Sequence, residues 1–116
     1  MSAAPDLWEV RREYARLCLD WAEWLLSSGR DPVSPLDRAR RVTDEALKKW
    51  PYRLEARALR AWVLALEAER APTAGRAGLR RQALEELDAA LRDNSNLVPA
   101  WQTRRERLRG LVERQR

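Results

Sequence analysis

Apolar side chains in this chain recur at steps of three and four residues in five successive segments, separated by stretches that contain Gly, Pro or Asn. That spacing gathers the apolar groups on one face of a 3.6-residue helix and does not match the two-residue alternation of a half-buried strand. The residue types agree. Leu and Ala contribute 18 residues each, and Phe and Ile are absent, so Leu and six Trp have to fill the core. Ala, Leu, Arg and Glu favour helix, and the scarcity of β-branched residues argues against a large sheet. A length of 116 residues suits one domain over 1–116. The expected fold is all-α, with five antiparallel helices over about 7–28, 36–50, 53–70, 76–92 and 99–114.

Local signals set the expected boundaries. Asp6 stands where an N-cap belongs, with Glu9 at capping-box spacing, and Gly29 supplies a left-handed stop. Ser34 is expected to cap the second helix with Pro35 at its first position, and Pro51 to end it. Ala71-Pro72-Thr73-Ala74-Gly75 is expected to break the chain before the fourth helix, and Asp93-Asn94-Ser95-Asn96 to turn it before the fifth. The first helix carries two apolar stripes side by side. One is Leu7, Val10, Tyr14, Leu17, Cys18, Trp21 and Leu25; the other is Trp8, Ala15, Leu19, Ala22 and Leu26. A helix this apolar packs against more than one neighbour. The third helix is apolar nearly all round and is expected at the centre; the fifth is sparsely apolar, with Trp101, Leu108, Leu111 and Val112.

The composition excludes much chemistry. No His and a single Cys remove most metal sites, the His-based triads and any internal disulfide, and Cys18 in an apolar stretch reads as a buried thiol. No phosphate-binding loop, dinucleotide glycine motif or serine elbow occurs. The pairs Asp44-Glu45 and Glu85-Glu86 are adjacent on helices and diverge. The expectation is therefore no enzyme, no cofactor and no metal. The first residues lack the basic and apolar regions of a signal peptide, and no apolar run is long enough to span a membrane, so a cytoplasmic location is expected.

Part of the sequence repeats. Ala46-Leu47 through Arg57 can be laid over Ala90-Leu91 through Trp101 at an offset of 44 residues, each stretch running from an Ala-Leu helix end through a turn to a new helix. Small residues recur at Ala22 and Ala61, at Ala39 and Ala46, and at Ala83 and Ala90. With Pro51 at a helix end and Trp101 early in the last helix, this pattern resembles the tetratricopeptide repeat, a unit of about 34 residues in two antiparallel helices. The resemblance implies about two and a half helical hairpins, with the ten extra residues in the loop around 70–79; the alternative is an unrelated five-helix bundle. Arg57, Ser95 and Arg105 depart from the family's pattern, and Arg105 at a small position suggests a solvated capping helix.

The same resemblance implies a concave groove lined by the first helix of each hairpin. Its positions fall on Arg16, Leu19, Glu23 and Leu26, then on Glu55, Ala58, Trp62 and Ala65, then on Gln102, Glu106 and Arg109. Trp62 among small residues is expected either to anchor a partner there, with Arg109 as charge partner, or to be core. The implied function is a non-enzymatic scaffold, adaptor or chaperone, of a bacterial type, that holds an amphipathic protein segment with some acidic residues. The broad apolar arc, with Trp8, Leu19 and Leu26 expected uncovered, adds possible self-association or a place in a larger assembly.

Charge opens a second reading. The net charge is +5, and 21 of the 23 cations are Arg. Arg38, Arg41, Lys48 and Lys49 in the second helix, with Arg104 and Arg105 in the fifth, form basic stretches suited to phosphates. That alternative is a basic helical accessory subunit that binds nucleic acid.

Overall fold

The computed structural model describes residues 8–114, and the expected cap at Asp6 and the apolar Leu7 lie outside them. Five helices follow one another: α1 (Trp8–Ser27), α2 (Val33–Lys49), α3 (Leu54–Arg70), α4 (Thr73–Asp93) and α5 (Val98–Glu113), with a single 3-10 turn, Ser95–Leu97, before the last. No strand occurs among the described residues. Each helix packs on the next, and α1 also reaches α3. The pairs Arg11–Glu45 and Arg38–Trp21 show that α1 and α2 run antiparallel. Asp88–Arg105 shows a late residue of α4 beside the first half of α5. The arrangement measures 54 × 32 × 22 Å.

The loops are short because their chemistry is strong. Gly29 adopts φ +72°, and the Arg30 N–H donates to the Leu25 carbonyl while Gly29 N–H donates to that of Leu26, a Schellman ending for α1. Two boundaries differ from the sequence expectation. Ser34 does not cap α2, which already begins at Val33. Pro32 occupies the capping position, and the Asp31 carboxylate accepts from the Val33 N–H. The expected loop at 71–75 shrinks to Ala71 and Pro72, and Thr73, Ala74 and Gly75 open α4. A proline at the cap suffices as the break, and the Arg76 guanidinium satisfies the freed carbonyls of Ala68 and Ala71 at the end of α3. The extra length between the repeated stretches thus lies in helix.

The core runs along α3, which is buried on nearly every side. Leu59 and Val63 of α3, Leu36 of α2, Leu87 of α4 and Leu108 of α5 are among its largest fully enclosed side chains. All six recurring alanines are enclosed too: Ala22, Ala39, Ala46, Ala61, Ala83 and Ala90. On α1 the choice between two apolar stripes goes to Trp8, Ala15, Leu19 and Ala22, which face inward. This corrects the expectation that Trp8, Leu19 and Leu26 would be uncovered: the first two are buried and Leu26 is half-buried. Of the other stripe Val10 (64%), Tyr14, Leu17 (67%) and Trp21 are exposed and Leu25 is half-buried, and Trp24 beside it is 56% exposed. Cys18, a member of this second stripe, is buried all the same, and burial pushes its thiol pKa up against the lowering effects of a Tyr14 hydrogen bond and the Arg38 charge. The native thiol is expected to react with a chromogenic disulfide reagent at least about tenfold more slowly than the unfolded chain, because the attacking thiolate is scarce and covered. Equal rates would show that α1 opens readily.

Candidate functional site

The concave side lies between α1, α3 and α5, and one residue organises it. The Arg104 guanidinium reaches from α5 to α1, 3.2 Å from Glu23 and 3.5 Å from Asp20. It also lies over the Trp62 ring at 5.6 Å and the Trp101 ring at 5.5 Å. Glu23 in turn accepts from the Trp62 indole N–H at 2.9 Å. A cation between two aromatic faces, tied to a carboxylate that also holds one of the indoles, fixes three helices together. The opposite end of α1 repeats the device. Arg53 lies over both Trp8 and Trp50 at 5.1 Å, and the Trp8 indole donates to Glu55 at 3.2 Å.

Arg104 divides the concave side. Toward the C-terminal end of α1 opens a cleft of about 340 Å³ lined by Leu26, Ala65, Leu66, Leu108 and Leu111, with Glu23, Glu69 and Arg107 among its polar groups. Toward the N-terminal half of α5 lies a smaller hollow of about 190 Å³, between Arg16, Leu19, Asp20 and Trp101. Glu69 is paired with Arg80 at 2.7 Å, and Glu23 is taken by Trp62 and Arg104. Arg107 has no ion pair among the described residues and is exposed. The cleft therefore offers an apolar floor, satisfied carboxylates and one cation open to a partner.

Several site residues inferred from sequence fall elsewhere. Trp62 is only 3% exposed, so it is a wall of the core and not a projecting anchor. Leu19 and Ala58 are enclosed, and Ala65 is buried but lines the cleft. Glu55 holds Trp8 at the far end. Gln102 donates to Glu106 along the exposed side of α5, away from the cleft. Arg109 turns toward α4, 3.9 Å from Asp88, and the arginine that lines the cleft is Arg107, two residues earlier. Of the inferred groove, Glu23, Leu26, Ala65 and the edge of Trp62 come together. Leu66, Leu108 and Leu111 were missed because helical periodicity marks them as core; Leu66 and Leu108 are core residues at the edge of an opening, and Leu111 is half-buried beside them.

The basic stretches do not form one surface. Arg104 is held in the concave side, and Arg105 is paired with Asp88. Arg38 lies over Trp21, and Lys49 over Trp50. Arg41 and Lys48 remain exposed on α2. Among the described residues no group of three or more His, Cys, Asp or Glu gathers for a metal, and no helix is long and apolar enough to cross a membrane. Comparison of the chain with family models, with curated proteins and with solved structures finds no match.

Proposed function

We propose that this chain is a non-enzymatic interaction module of tetratricopeptide-like construction, an adaptor or chaperone that holds a protein segment between α1, α3 and α5. The observation that carries the reading is the cleft floor of Leu26, Ala65, Leu66, Leu108 and Leu111, which no other described element covers. The burial of all six recurring alanines and the stacking of consecutive helices support the construction. The segment it fits is amphipathic: two or three apolar side chains enter the cleft, and an acidic group meets Arg107.

Selection of binders from a displayed peptide library, followed by titration, tests the proposal. Leu26→Glu and Leu111→Glu place a charge on the half-buried floor and are expected to weaken a selected amphipathic peptide by about 2 kcal/mol or more. Both variants should keep their helical circular dichroism. Arg107→Glu is expected to slow association of an acidic peptide, with the effect fading at high salt. Selected peptides that ignore Leu26 and Leu111 would rule out the cleft as the site.

A further inference from the structure

The outward stripe of α1 is a second surface, whose last residue, Trp24, also borders a hollow shared with Ala100, Arg104 and Arg107 of α5. Val10, Tyr14, Leu17, Trp21 and Trp24 succeed one another at steps of four, three, four and three, and all five rank among the exposed large apolar side chains. Two heptads of strict 3-4 spacing make the narrow seam by which helices pair side by side. A buried aromatic side chain hides about 150–250 Å². Scaled by the fractional exposures of 40 to 67%, the stripe amounts to roughly 500 Å², at the upper end of what monomers leave in water. Two such stripes laid together bury roughly 1,000 Å² before their polar margins are added, the size at which specific interfaces begin.

The margins say what the partner is. On one flank stand Glu9, Glu13, Arg16 and Asp20, all exposed and acidic on balance, with Glu13 also 3.3 Å from Arg12 and Asp20 3.5 Å from Arg104. On the other flank is α2, where Arg38 lies over Trp21 and Arg41 shares its helix face, one turn along toward the Arg11–Glu45 pair. The stripe therefore runs between an acidic and a basic margin. A second copy set antiparallel across it brings acid against acid and base against base. A second copy set parallel, related by a two-fold axis along the helices, brings each acidic margin against the partner's basic one. We infer that this face pairs with a second copy of the chain through parallel α1 helices, with Glu13 and Asp20 facing Arg41 and Arg38 of the other copy. The pairing surrounds the seam with α1 and α2 of both copies, as in a four-helix bundle, and leaves both clefts facing outward. It does not depend on what the cleft binds.

Sedimentation equilibrium of the full chain over a micromolar range tests it. A concentration-dependent dimer is expected. Leu17→Glu, at a side chain two-thirds exposed, is expected to raise the dissociation constant at least about tenfold while leaving the melting curve of the monomer unchanged. Glu13→Arg is expected to weaken the dimer, and Glu13→Arg with Arg41→Glu to restore it; an antiparallel pair would instead be strengthened by Glu13→Arg alone. Orientation is read directly from Val10→Cys, which forms a disulfide between copies under mild oxidation only if the helices run parallel. A chain that stays monomeric, a dimer indifferent to Leu17→Glu, or a stripe that binds only a different protein would each overturn the inference.

Discussion

Trp62→Ala is expected to lower the stability of the fold by about 3–5 kcal/mol, the range for emptying a large aromatic site in a core. The indole is enclosed by α1 and α5 as well as by its own helix, since it donates to Glu23 and lies beneath Arg104. Removal opens a cavity at the meeting of three helices, strips Glu23 of a donor and leaves Arg104 with one aromatic face in place of two. Against a total of about 5–15 kcal/mol for a domain this size, the loss is about a fifth or more. Denaturant titration is the measurement: the midpoint should fall while the slope, which follows the surface exposed on unfolding, holds. A variant with unchanged stability and lost peptide binding would return Trp62 to the role of a surface anchor.

The second large effect is expected from overfilling. Ala61 and Ala83 are fully buried on α3 and α4, the two helices with the most extensive mutual contact. Leucine at either position adds three carbons where the backbones approach closely, at an expected cost of about 1–3 kcal/mol. Ala74→Leu near the start of α4 serves as the control, because Ala74 is exposed and a surface exchange of this kind stays within about 0.5 kcal/mol. Similar melting for all three variants would mean that the alanines do not set the distance between the helices. That distance is also the physical basis for reading a repeat into the chain.

Arg104 shows why sequence reasoning dispersed the site. In the sequence it belongs to a run of arginines on the last helix and reads as phosphate-binding charge. In the fold it lies between two tryptophans and bonds to a glutamate 81 residues away. Arg105 next to it turns to Asp88 on α4. Adjacent positions on a helix diverge by about 100°, so neighbouring charges serve different neighbours once the helices are packed. The same geometry separates Arg107, at the cleft, from Arg109, beside α4.

Periodicity and composition by themselves determine that this chain makes five helices, that α3 is central, and that the recurring alanines are enclosed. These properties follow from local spacing and from side-chain size. The sequence also places the turns near Gly29, Pro51, Pro72 and Asn94, to within a few residues. It does not determine which of the two apolar stripes of α1 enters the core, because both have helical spacing and similar hydrophobicity. The tertiary structure decides it by size. Ala15 and Ala22 on the inner stripe let α2 and α3 approach closely, whereas Tyr14, Leu17 and Trp21 on the outer one would hold them apart. Hydrophobicity says that a face wants cover, and close packing between particular helices selects the face that receives it.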